Sequence, residues 1–218
     1  VIISFCETLE ESLVKHANTI QHLRIVISTM GPITNFLSHL VNLISLEIGE
    51  RTTTVHGNLE NASLPVLKIL KVKWVPNKSL AKLIENTKGH LAEISINQGY
   101  NYDINRLIKT IYQNCPNLKY LKLYLNLNDS NISEFEKLLI NCQHLKVLSF
   151  IINDIVFEWD NLFKILIKLS PNDLFKFKFH SFDYELKPKL EFLKLFFDNW
   201  KGKRPIFLNF NNAEDIEY

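Results

Sequence analysis

The chain has 218 residues, 46% apolar and 22% charged, a balance that supports a folded core and excludes a highly charged disordered segment. With 25 basic against 23 acidic side chains the net charge is +2, so no global field recruits nucleic acid; the most apolar stretch, residues 162–169, is broken by Lys164 and Lys168 and falls short of the ~18 residues a membrane helix needs. Three cysteines, Cys6, Cys115 and Cys142, are too few and odd in number for a disulfide-stapled secreted domain and predict an intracellular protein, cytoplasmic or nuclear.

In chain order, one short template recurs, with apolar residues at its first, fourth and sixth positions. An initial copy is Ile20, Leu23 and Ile25, followed by Leu43, Leu46 and Ile48. Residues 51–63 show no helical period and read as loop before the next copy, Leu67, Leu70 and Val72. The apolar spacing then changes to three and four at Leu80, Leu83, Ile84 and Thr87, predicting an amphipathic helix that starts at Asn77. After Leu91, Ile94 and Ile96 comes a second helix through Ile104, Leu107, Ile108, Ile111 and Tyr112, started by Asp103 and stopped before Pro116, which disfavours helix at Cys115. Leu118, Leu121 and Leu123 precede a helix through Phe135, Leu138 and Leu139, where Ser133 and Glu136 match a capping box. Leu145, Leu148 and Phe150, a helix over 162–169, Leu174, Phe177 and Phe179, and a helix over 189–200 complete the series. A degenerate last copy ends in Leu208 and Phe210 after Pro205.

The first apolar residues of seven copies, at 20, 43, 67, 91, 118, 145 and 174, lie 23 to 29 residues apart, in or near the leucine-rich-repeat range. One strand and one outer segment cannot bury both faces alone, and stacking of neighbours resolves this. The expectation is therefore an α/β leucine-rich-repeat solenoid, a horseshoe arc with a parallel inner sheet and outer helices. It spans 1–218 as a single unit of about seven to eight repeats and is part of a longer chain.

Residues alternating with the anchors face away from the core and line the concave sheet. The partner-binding candidates there are Lys71, Lys73, Glu93, Tyr120, Lys122, Tyr124, Val147, Ile151, Lys176 and Lys178. Tyr120 and Tyr124 lead, since aromatic anchors are typical of binding hot spots; Ile69, Val147 and Ile151 are expected exposed beside them. The excess of Lys favours a protein target with acidic or phosphorylated residues. The competing reading is that these side chains pack laterally on neighbouring strands.

No catalytic, cofactor or metal site is predicted, and the chain is not expected to be an enzyme. Cys115 and Cys142 fall singly, one per repeat, without the close C-x-x-C spacing of zinc ligands, and read as buried structural thiols. The histidines, at 16, 22, 39, 56, 90, 144 and 180, form no H-x-x-x-H pair and read as loop or surface polarity. Phosphate-cradling glycine loops, the G-x-S-x-G elbow and H-E-x-x-H are all missing from the sequence. The basic run from Lys201 to Arg204 reads as a solvated turn.

Two copies carry Asn-Cys directly before the template: Asn114-Cys115-Pro116-Asn117-Leu118 and Asn141-Cys142-Gln143-His144-Leu145, one repeat of 27 residues apart. This phrase resembles the cysteine-containing leucine-rich repeats of F-box proteins, whose arrays are similar to the ribonuclease-inhibitor horseshoe, and the likeness covers residues 19–179. The Asn-, Lys- and Phe-rich character, with copies such as Leu64-Pro65-Val66-Leu67-Lys68-Ile69-Leu70, looks like the large fungal F-box expansions. The resemblance implies the substrate-recognition region of a Skp-cullin-F-box ubiquitin ligase. No F-box helix cluster stands in residues 1–40, so an F-box either precedes Val1 or is lacking, and a Skp-type adaptor is a partner only in the first case. The alternative is a leucine-rich-repeat module unrelated to ubiquitin, of the inhibitor or GTPase-regulating kind.

Overall fold

Alternation of apolar and polar residues over five or six positions favours a strand with one buried face, and eight such segments pair here. A computed structural model describes residues 2–27, 35–50, 59–97, 104–125, 129–152, 157–183, 187–200 and 204–212. The strands are β1 (His22–Ile27), β2 (Ser45–Glu50), β3 (Ile69–Lys73), β4 (Glu93–Asn97), β5 (Tyr120–Tyr124), β6 (Val147–Ile152), β7 (Lys176–Ser181) and β8 (Phe207–Asn212). They form one sheet in chain order, β1 to β8, with every neighbouring pair parallel. The described α-helices are α1 (Ile2–Lys15), α2 (Asn77–Glu85), α3 (Ile104–Asn114), α4 (Asp129–Asn141), α5 (Trp159–Leu169) and α6 (Leu190–Asn199). This is an α/β architecture compatible with a solenoid-like stacking of strand-and-helix units.

The register follows the template. Leu23, Leu46, Leu70, Ile94, Leu121, Leu148, Phe177 and Leu208 stand opposite one another across all eight strands. Apart from the half-buried residues of the end strands they are buried, in one cluster with Leu80, Leu83, Leu107, Ile111, Leu138 and Leu166 from the helices. The described helices therefore pack against the anchor face of the sheet. At each strand entry the carbonyls of Gln21, Ile44, Lys68, Ala92, Lys119 and Lys146 each accept two N–H groups from the next strand, for example Ile44 and Ser45 on Gln21 at 2.7 and 3.0 Å.

In the last third, Phe takes several of the anchor positions, at Phe150, Phe177, Phe179 and Phe210. In-register parallel strands lie about 4.8 Å apart, a spacing that sets like side chains face to face. The Phe150 and Phe179 rings stack at 5.7 Å and Phe179 on Phe210 at 5.0 Å, with Trp159 edge-on to Phe179 at 5.2 Å.

The Asn-Cys pair has a local physical reason. Asn114 and Asn141 donate their side-chain amides to the Thr110 and Lys137 carbonyls at 2.9 and 2.7 Å, satisfying acceptors at the ends of α3 and α4. Cys115 and Cys142 are fully buried free thiols, as expected. Each carbonyl accepts the N–H of the next anchor, Leu118 or Leu145, in a turn that Leu40, Leu64 and Pro171 form in other copies. The corner takes an apolar residue: Cys115, Cys142, Leu40 and Leu64 are all fully buried there.

Several helix starts differ from expectation. Asn77 is the first residue of α2, with Pro76 at the cap and no side-chain cap bond. Asp103 lies outside the described residues. α4 begins at Asp129, so Ser133 sits exposed within the helix and Ser133–Glu136 is not a capping box; an extra turn carries Asn131, buried, ahead of it. α5 begins at Trp159, whose buried ring extends the apolar face beyond Leu162. Helix α1 was not anticipated: its Leu13 packs partly against the core while Leu9 and Val14 are exposed, too weak a pattern to announce a helix. Within residues 51–63 the described part contains a single 3-10 turn, Leu59–Asn61, that buries Leu59.

Candidate functional site: the open face of the sheet

Pairing in register arranges the outward residues in rows across the strands. The first row reads His22, Ser45, Ile69, Glu93, Tyr120, Val147, Lys176 and Phe207. The second reads Arg24, Glu47, Lys71, Ser95, Lys122, Ser149, Lys178 and Asn209. A third row includes Lys73 beside Asn97 on β3 and β4, then Tyr124, Ile151, His180 and Asn211 on β5 to β8. All ten candidates fall on these rows, in two chemically distinct regions.

Over β1 to β4 the charges neutralise one another. Arg24 meets Glu47 at 3.0 Å and Lys71 meets Glu93 at 3.5 Å. Both pairs are partly exposed, so each contributes at most about 1 kcal/mol. Lys73 is held below the ordinary lysine range by burial. At the far edge Lys176 sets its ammonium 4.7 Å from the centre of the Phe207 ring, a cation–π contact.

Over β5 to β7 the face closes on itself. Ile151 is buried, at 1% exposure, yet stands outside the helix-side core cluster, so it is not exposed as expected. Ile69 and Val147 are half-buried. Lys122 is 7% exposed, Ser149 0% and His180 8%, so His180 is not surface polarity. The His180 Nε2 lies 3.2 Å from Ser149 Oγ.

The electrostatics follow from this burial. Burial, then the charge of Lys178, brings the Lys122 ammonium down to about 8. His180 is pushed down to about 4 by burial, then by Lys122 and Lys178, and is neutral at physiological pH. Burial raises both tyrosines; for Tyr120 the Ser149 hydrogen bond opposes the rise and the Glu93 charge adds to it. Lys122 has no acceptor or carboxylate partner among the described residues, and the buried Nδ1 of His180 has none either. Tyr120, Lys122, Tyr124 and Lys178 are thus brought together from the predicted set, and Ser149 and His180 join them as polar members whose burial the sequence did not reveal.

Among the described residues no group of three or more His, Cys, Asp or Glu side chains is placed to hold a metal ion. No described helix is long and apolar enough to cross a membrane. The described residues define an α/β protein with one all-parallel sheet, whose second face carries Lys122 and Lys178 on either side of the buried Ser149. No protein-family model matches the chain, and no curated protein matches it significantly.

Proposed function

We propose that the chain is a leucine-rich-repeat scaffold of the ribonuclease-inhibitor-like kind, a single unit over 1–218, that binds a protein on the open face of its sheet. Within that reading it is the substrate-recognition region of an F-box component of a Skp-cullin-F-box ubiquitin ligase. The observation that carries it is the sheet itself: eight parallel strands in chain order, anchor on anchor, with the described helices packed against the anchor face. Stacked single-strand units of this type bind along their uncovered side, and here that side presents Tyr120, Lys122 and Tyr124 on one strand. The ligase role rests on the Asn-Cys repeats at 114–115 and 141–142. Two measurements separate the levels. Immunoprecipitation of the full-length gene product should bring down a Skp-type adaptor and a cullin; their consistent absence refutes the ligase role alone. Replacing Tyr120 and Lys122 together by Glu should abolish capture of the native partner, and undiminished capture removes this face as the binding surface.

A further inference from the structure

A charge withdrawn from water is ordinarily paired. On this face Arg24 has Glu47, Lys71 has Glu93, and Lys176 has the Phe207 ring. Lys122 and Lys178 flank the neutral Ser149 in one row and have no counter-charge among the described residues. The titratable and charged groups that face Lys122 from the strands on either side are Glu93, already shared with Lys71, and Lys178 and His180; on its own strand are Tyr120 and Tyr124. Two cations thus flank Ser149 with no carboxylate paired to either among the described residues.

On the reading of the open face as a protein-binding surface, we propose that Lys122 and Lys178 form a carboxylate site that takes the side chain of an Asp or Glu residue from an acidic segment of the partner. The donors are two ammonium groups, with the neutral His180 and Ser149 buried beside them. No guanidinium stands in these rows beyond Arg24, which is engaged with Glu47, so the fork that favours phosphate is missing. Tyr120 and Tyr124 stand on either side of Lys122 along its strand, both half-buried.

The test uses the full chain with isotopically labelled lysine, following the Lys122 side-chain resonance through a pH titration. The probes are an acetylated triglutamate amide, the matching triglutamine amide, and inorganic phosphate at equal ionic strength. Triglutamate should raise the Lys122 midpoint from about 8 by at least one pH unit, and its affinity should fall about tenfold or more between pH 6.5 and pH 9.5 as the ammonium is lost. Triglutamine should move nothing. Lys122→Met should abolish triglutamate binding, whereas Lys71→Met on the same face should retain it. The proposal is overturned by a Lys122 midpoint that triglutamate leaves in place, by equal affinity in Lys122→Met, or by a response to phosphate without one to triglutamate. Loss of the carboxylate site with partner capture through Tyr120 intact sinks this site and spares the binding face.

Discussion

Replacing Lys122 by Met should make the protein more stable at neutral pH. The substitution keeps the aliphatic stem that fills the space between Tyr120 and Tyr124 and deletes the unpaired ammonium. A side-chain pKa lowered from the ordinary 10.5 to about 8 corresponds to about 3 kcal/mol against the charged folded form. Below pH 8 both folded and unfolded lysine are protonated, and this cost is fully present. Between pH 8 and 10.5 the folded state has released its proton while the unfolded state still binds one, so stability rises with pH across that window. The raised tyrosines act in the opposite direction, since the unfolded chain loses their protons first, and they do so equally in both proteins. Urea unfolding at pH 6.5, 8, 9 and 10, followed by circular dichroism, gives the comparison. Lys122→Met should gain about 1 to 3 kcal/mol at pH 6.5, and the gain should shrink toward pH 10. A variant less stable than the parent at pH 6.5, or two pH profiles that run in parallel, would refute the reasoning.

Two further outcomes are expected. Leu121→Ala, at a fully buried anchor between Ile94 and Leu148, should cost about 2 to 5 kcal/mol, and an unchanged urea midpoint would mean that the strand register is wrong. In a Cys6→Ser background the remaining thiols should resist an aqueous thiol reagent at pH 8 until the protein unfolds, because burial pushes Cys142 up to about 12 and Cys115 higher still; rapid native-state labelling would contradict that burial.

The pairing of the strands was legible because it depends on local alternation and a near-constant spacing. Leu46, Leu70, Ile94, Leu121 and Leu148 each announce their own depth, and aligning the template aligns the sheet. Helix starts were less legible because capping residues are common in an Asn- and Ser-rich chain: Ser133 had the right neighbour in Glu136, but Asp129 opens the helix one turn earlier. Burial on the open face was hidden for a different reason. Whether His180 is covered depends on side chains one strand away, 31 residues distant in sequence, as the Ser149–His180 contact shows. Alternation alone assigns such residues to solvent, so the burial of Lys122 emerges only when the rows are laid side by side.

Each carbonyl that accepts two N–H groups at a strand entry joins one unit to the next and to no other. These backbone hydrogen bonds are therefore shared only between nearest neighbours, and among the described residues the terminal strands β1 and β8 each have a single sheet partner. In a polypeptide limited to these 218 residues, loosening should begin at these ends and move inward as a fraying front, and amide exchange should slow from β1 and β8 toward β4 and β5. The middle of the sheet, which carries Tyr120 and Lys122, is thereby the part held longest in shape.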